Sequence, residues 1–124
     1  MASGIKTLTL AGATVTDTGT ATATNTLDGS YSQITLTAKI TKTSGTLGGT
    51  VTLQGSLDGT NYVTIPTATV VGGASTYTVT NTAGGQNLTF VVLGSPYKYY
   101  RLSWTGTGTM VGVLSDAYIK GIRY

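Results

Sequence analysis

The sequence predicts a single all-β domain, an antiparallel β-sandwich of eight to nine short strands with jelly-roll or immunoglobulin-like topology. Apolar and polar residues alternate with a period of two through most of the chain, as they do in half-buried strands. Turn-forming residues separate these stretches, and no segment of useful length shows the 3.6-residue repeat of an amphipathic helix. A length of 124 residues is that of one domain.

The middle of the chain contains the clearest strands. From Gln33 to Ile40, aliphatic residues alternate with threonine, glutamine and lysine, so one face of this strand is apolar. The segments Thr50–Ser56 and Asn61–Ile65 continue the alternation, and Asp58-Gly59 lies between them. Because glycine adopts positive φ without steric cost, an Asp-Gly pair in this place predicts a hairpin.

The second half of the chain contains further short alternating segments, separated by glycine, serine and proline. We expect strands at Ser75–Thr80, Asn87–Leu93, Tyr99–Thr105, Thr109–Leu114 and Ala117–Arg123. We also expect Ser115-Asp116 to turn the chain between the last two of them.

The N-terminal part is less regular. Ile5–Leu10 is predicted as a strand, whereas Ala11–Thr26 consists mainly of threonine, alanine and glycine. That second stretch is either an edge strand or an extended arm that reaches a neighbouring subunit. We assign residues 1–26 to the N-terminal strand and arm and residues 27–124 to the sandwich, as parts of one domain.

The composition argues against catalysis. The chain contains no cysteine, histidine or glutamate, so it lacks a thiolate nucleophile as well as the commonest general base and the commonest metal ligand. The four acids, Asp17, Asp28, Asp58 and Asp116, lie in separate predicted turns, where an aspartate carboxylate bonds its own backbone. We therefore expect no enzymatic activity, no catalytic residue, no metal site and no cofactor.

Charge is scarce and scattered. Charged residues make up 9% of the chain, against about 25% in ordinary soluble domains. The seven lysines and arginines are spread along the sequence, so we expect no nucleic-acid partner. No apolar run approaches the ~18 residues of a membrane-spanning helix, and the N-terminus lacks the pattern of a secretory signal. We therefore expect no membrane partner. Threonine occupies 28 positions, and its hydroxyl group keeps the exterior polar without adding charge.

Aromatic residues cluster near one predicted strand. By alternation Tyr100, Leu102 and Trp104 share one face, which we predict to be a core stripe. Tyr97 and Tyr99 are then the candidates for surface contacts, because tyrosine offers a large contact area at low entropic cost.

Two segments resemble known modules. Residues 51–62 read VTLQGSLDGTNY and residues 99–104 read YYRLSW, and both are similar to parts of discoidin-like carbohydrate-binding sandwiches. They also resemble small virion structural proteins of tailed bacteriophages, of the capsid decoration or auxiliary type. The phage proteins fit the rest of the chain better, since discoidin domains are longer, normally secreted and often bridged by disulfides.

The resemblance to phage proteins implies a structural protein located in the virion. We expect a homo-oligomer that decorates the capsid lattice and binds capsid or other virion proteins. The alternative is a carbohydrate- or receptor-binding module of a tail or head fibre, with a glycan as a possible ligand, and a third possibility is a tail-tube or tail-terminator subunit. The resemblance also implies contacts at two loop tips, Ser56–Asn61 and Gly106–Gly108. Together with the two tyrosines chosen from the aromatic pattern, the candidate contact surface comprises Tyr97, Tyr99, Asp58 and Asn61.

Overall fold

The computed structural model describes residues 5–10, 13–26, 31–66, 70–82, 84–94 and 97–122. These residues form ten β-strands. The strands are β1 (Ile5–Leu10), β2 (Ala13–Thr16), β3 (Thr20–Thr26), β4 (Gln33–Gly45), β5 (Thr50–Ser56), β6 (Val63–Thr64), β7 (Thr76–Thr78), β8 (Gln86–Leu93), β9 (Tyr99–Thr105) and β10 (Met110–Ile122). The described segments include no helix of the length and apolarity needed to span a bilayer.

The strands form two antiparallel sheets of five strands each. In sheet 1, β10 lies between β4 and the pair β1 and β2, and β8 lies outside β4. In sheet 2, the order is β3, β9, β5 and then β6, with β7 also beside β5. The first and last strands are neighbours, since Ile5 lies opposite Ile122. The predicted all-β sandwich is confirmed.

The connections between strands give this sandwich a jelly-roll topology. Strands β1 and β2 follow one another along β10, and β6 and β7 follow one another along β5, so each pair fills one strand position. The ten described strands thus occupy eight positions, four in each sheet. The β5–β6 hairpin joins two neighbouring positions of sheet 2, and each of the other connections between successive positions crosses to the opposite sheet. An immunoglobulin-like sandwich contains several hairpins within its sheets, whereas repeated crossing is the pattern of the jelly roll.

The core lies between the two sheets and consists of the inward residues of each strand. Alternate residues of β4 and β9 are buried, and Tyr100, Leu102 and Trp104 are fully buried, which confirms the predicted core stripe. The indole N–H of Trp104 donates a hydrogen bond to the carbonyl oxygen of Gly48 at 3.1 Å. The buried polar atom of the largest core side chain is thereby satisfied.

The N-terminal stretch follows the edge-strand alternative. Strand β2 pairs with β10, and β3 pairs with β9 along all seven of its residues. The three strands in the described part of 1–26 therefore belong to the two sheets. Residues 1–4, 11, 12 and the boundary at 27 lie outside the described residues.

The prediction of a turn at Ser115-Asp116 was wrong. Residues Met110–Ile122 form one strand, whose register against β4 shifts between Ser115 and Tyr118. One additional residue is accommodated there in a β-bulge. As a result Leu114 and Ile119, which are five positions apart, are both buried.

Several strand limits also differ from the prediction. Strand β4 continues to Gly45, five residues beyond the predicted end. Strand β6 is reduced to Val63–Thr64 and β7 to Thr76–Thr78, each paired with part of β5. Strands β5 and β9 have the predicted limits.

Candidate contact site

The β5–β6 loop is organised by the carboxylate of Asp58. One carboxylate oxygen accepts hydrogen bonds from the backbone N–H groups of Thr60 and Asn61, each at 2.8 Å, and from the Ser56 hydroxyl at 2.8 Å. The other oxygen accepts a bond of 2.7 Å from the side-chain amide of Asn61. Gly59, with φ of +79°, completes the turn in a conformation that few other residues adopt. The predicted turn role of Asp58 is confirmed.

These hydrogen bonds hold the pKa of Asp58 well below its usual range. The backbone N–H of Asn61 contributes most, followed by that of Thr60 and then by the side chains of Asn61 and Ser56. All four groups favour the ionised carboxylate. The ionised Asp58 carboxylate therefore stabilises the conformation of the loop, although the residue is exposed.

Tyr97 lies beside the base of this loop, on the link between the two sheets. Its ring lies over Gly55, where a Cβ atom would approach the ring to 2.5 Å. Its ring also meets that of Tyr100 edge to face, with centroids 6.3 Å apart. The backbone N–H of Tyr97 donates to the Tyr100 hydroxyl at 3.0 Å, and burial raises the pKa of Tyr100 to about 12. Tyr97 is thus a half-buried residue fixed in place by the core.

An open groove with a volume of about 250 Å³ lies between Tyr97 and the loop. Two of its aliphatic side chains are exposed, Leu57 to 71% and Val63 to 49%. The lining residues are Gly55, Ser56, Leu57, Asp58, Asn61, Val63 and Tyr97. Since the Asp58 carboxylate and the Asn61 amide already bond each other, the groove offers mainly apolar surface.

Tyr99 packs against the loop at a different point. A Cβ atom on Gly59 would lie 3.2 Å from the Tyr99 ring, so the ring contacts the backbone at Gly59. The ammonium of Lys98 lies 5.5 Å from the centroid of the same ring, which is within the range of a cation–π interaction. Tyr99 is half-buried by these neighbours and does not line the groove.

The four predicted contact residues therefore surround one loop. Tyr97, Asp58 and Asn61 line the groove, and Tyr99 supports the loop at Gly59. The predicted loop tip Ser56–Asn61 includes Leu57, whereas sequence reasoning did not identify Val63 as a contact residue. The signal for Leu57 was its place as an aliphatic residue between Ser56 and Asp58 in an otherwise polar turn.

A second interaction missed by sequence reasoning lies on the outer face of sheet 2. The guanidinium carbon of Arg101 is 3.9 Å from the centroid of the Tyr62 ring. The Arg101 Nε–H also donates to Gln54 Oε1 at 2.6 Å. The alternation that directs Trp104 inward also directs Arg101 outward, and its cross-strand neighbour is Gln54.

Two further rows on this outer face consist of hydroxyl-bearing residues. In the strand register, one row comprises Thr20, Thr105, Thr50 and Thr78, and the next comprises Thr22, Ser103, Thr52 and Thr76. The hydroxyls of Thr20 and Thr105 hydrogen-bond each other at 3.0 Å. This part of the surface is polar and carries no charge.

Comparison with known proteins gives similarity in fold only. No protein-family model matches the chain, and no curated protein matches its sequence. The crystal structure of PBSX exported protein XepA is similar, with a TM-score of 0.57 and 13% identity. The match covers 95% of this chain and 37% of that one.

A second similar structure is the enzymatically active domain of tailspike protein 4 from bacteriophage CBA120. The TM-score is 0.58 at 10% identity, and the match covers 97% of this chain and 19% of that one. In both comparisons nearly the whole of this chain matches a minor part of a larger protein. The shared feature is the sandwich.

Proposed function

We propose that this chain is a non-catalytic structural protein of a bacteriophage particle, a capsid decoration or auxiliary protein that binds the capsid lattice as a homo-oligomer. The observation that carries the proposal is the apolar groove beside the β5–β6 loop, where Leu57 and Val63 are exposed on a rigid support. Exposed aliphatic side chains next to a fixed aromatic ring suit contact with a protein surface.

The organisation of the loop supports a binding role over a catalytic one. The Asp58 carboxylate has four hydrogen-bond partners within the loop, and its lowered pKa disfavours proton transfer near neutral pH. The fold similarity to part of a phage tailspike protein and to XepA is consistent with a phage module. On a lattice, many copies of one modest contact give strong overall attachment.

The experiment measures binding of the purified chain to capsids from a phage in which the corresponding gene is deleted. We expect saturable co-sedimentation with a fixed number of copies per capsomer. Val63→Asp places a charge in the groove and is expected to weaken binding at least about tenfold, the equivalent of roughly 1.4 kcal/mol. Val71→Asp is the matched control, because Val71 is similarly exposed at 56% but does not line the groove. Failure of the unaltered chain to bind capsids would overturn the proposal.

The second candidate is a carbohydrate- or receptor-binding module of a tail or head fibre. The similarity to a tailspike domain and the position of Tyr97 beside Asn61 favour it. A glycan array provides the test. Binding that is lost in both Tyr97→Ala and Tyr99→Ala, with the melting temperature retained, would favour this candidate over capsid decoration.

A further inference from the structure

The two sheets of a sandwich have four edges, and in the described part of this chain three of them are partly covered or divided between two strands. At β8, Val70 forms a bridge with Val92, and the N–H of Val71 donates to the Val91 carbonyl at 2.7 Å. At the opposite edge of sheet 1, β1 and β2 are separate strands along β10. At one edge of sheet 2, β6 and β7 are two and three residues long.

Strand β3 is the long edge that remains. Its seven residues pair with β9 in a continuous register from Thr20 opposite Thr105 to Thr26 opposite Tyr99. On its other side, no strand among the described residues pairs with it. The outward backbone N–H and C=O groups of an edge strand are able to pair with another strand.

The sequence of β3 lacks the features that usually protect such an edge. It reads TATATNT, with no charged residue, no proline and no glycine. Lysine, proline and bulges are the common means of preventing edge-to-edge association. The pairing of β3 with β9 contains no register shift, so the strand is regular along its length.

The same sequence is nearly self-complementary about Ala23. In an antiparallel pair centred on that residue, Thr22 of each copy lies opposite Thr24 of the other, and Thr20 lies opposite Thr26. Threonine pairs across strands are favourable, and a two-fold axis requires a surface that matches itself.

We infer that two copies of this chain associate through β3, in antiparallel register about Ala23, so that sheet 2 continues from one copy into the other. The inference rests on the homo-oligomer in the proposed function and names the surface that forms it. It does not depend on the capsid as the target. The hydroxyl rows of sheet 2 would extend across the dimer, because Thr22 and Thr24 are exposed at its centre.

A single cysteine tests this register, and the natural chain contains none. In the inferred dimer, Ala23 lies opposite its own copy, with Cα atoms about 4.5–5.5 Å apart, within the range of a disulfide. Mild oxidation of A23C is expected to give a covalent dimer in high yield. T20C is the matched control, since its two copies would lie about 20 Å apart at ~3.3 Å per residue. Equal cross-linking of the two variants would overturn the register.

Charge exchange tests the edge itself. T22E/T24E places like charges opposite each other across the two-fold axis, and we expect the dimer dissociation constant in sedimentation to rise at least about tenfold. T22K/T24K should do the same, and mixing the two variants should give a heterodimer visible by native mass spectrometry. T76K/T78K, on the other edge of sheet 2, is expected to remain dimeric. Circular dichroism and melting temperature confirm that each variant is folded.

The outcomes separate this inference from the proposed function. A monomeric natural chain at high micromolar concentration, or dimerisation of T22E/T24E equal to that of the natural chain, would overturn the β3 interface. Capsid binding measured on the same proteins is an independent result. Dimerisation without capsid binding would leave the interface standing and refute capsid decoration.

Discussion

The side chain of Asp58 shows how one exposed residue can determine the shape of a loop. Its two carboxylate oxygens accept four hydrogen bonds from residues within three positions of it. The Ser56 hydroxyl also accepts bonds from the N–H groups of Asp58 and Gly59, at 3.2 and 3.0 Å. These local bonds hold Leu57 and Asn61 at the groove.

The lowered pKa of Asp58 predicts a stability that depends on pH. Below its ordinary pKa of 3.8, the unfolded chain binds a proton that the folded chain does not. The stabilisation from ionised Asp58 is therefore present above that pH and is lost as the pH falls toward the lower pKa of the folded state. We expect Asp58→Asn to melt below the natural chain by a constant margin between about pH 5 and pH 8, and by a shrinking margin below about pH 4. A margin that stays constant in acid would contradict this origin.

The contact of Gly55 with Tyr97 predicts the effect of one methyl group. A Cβ at Gly55 would lie 2.5–3.0 Å from three atoms of Tyr97, and these are not at the flexible end of the side chain. We expect Gly55→Ala to cost about 1–3 kcal/mol in urea unfolding. Gly84→Ala, where nothing lies within 4 Å, is the control and should be close to neutral. The cost of Gly55→Ala should fall in a Tyr97→Ala background, since the two residues are in contact.

At the scale of secondary-structure elements, Gln86 connects β8 to the segment that follows β7. Its side-chain oxygen accepts hydrogen bonds from the Tyr77 hydroxyl at 2.8 Å and from the N–H and hydroxyl of Thr80 at 3.0 and 3.1 Å. Its amide donates to the Thr80 carbonyl at 2.7 Å. A single buried amide thus secures a crossing between the two sheets.

Gln86→Met keeps the length of the side chain but removes all four hydrogen bonds. We expect a loss of about 1–3 kcal/mol in the free energy of unfolding, because Thr80 and Tyr77 lose their partner. Asn87→Ala alters the next residue, which is exposed, and is expected to change stability by less than about 0.5 kcal/mol. An equal effect of the two variants would show that the network has no role in stability.

The strands predicted most accurately from the sequence are those in which apolar and polar residues alternate strictly. Strands β5 and β9 alternate without interruption and end at clear turn residues, so their limits were correct. The bulge in β10 was not predicted, because Ser115 and Asp116 favour a turn by their local sequence. Pairing with β4 keeps this part of the chain in a strand, and the local sequence does not show that pairing. The extension of β4 to Gly45 likewise depends on its pairing with β10.

The candidate site was predictable to the extent that it is local. Asp58 and Asn61 are three residues apart in a hairpin, and their proximity follows from the Asp-Gly turn. Tyr97 meets this loop because the link from β8 to β9 crosses between sheets at the same end of the sandwich, where the N–H of Lys98 donates to the Ser56 carbonyl at 3.2 Å. Alternation within single strands contains no information about such a crossing.

At the scale of the whole molecule, the jelly roll arises from connections rather than from strand patterns. The jelly roll and the immunoglobulin-like sandwich use the same alternating strands, so composition and period predict both equally. The structure decides between them through the order in which the chain visits the two sheets. Parts of XepA and of a phage tailspike protein have a similar fold, with TM-scores of 0.57 and 0.58 at identities of 13% and 10%.

The pairing of β1 with β10 has a consequence for engineering. Because Ile5 lies opposite Ile122, the two ends of residues 5–122 are about 4.5–5.5 Å apart. A host protein could therefore carry this module as an insert in a surface turn, entering and leaving at nearly one point, with little distortion of either fold. Conversely, joining these ends with a short glycine-rich linker and opening the chain elsewhere should give a circular permutant that retains the sandwich. The module is thus suited both to insertion into another protein and to circular permutation, because its two ends lie close together.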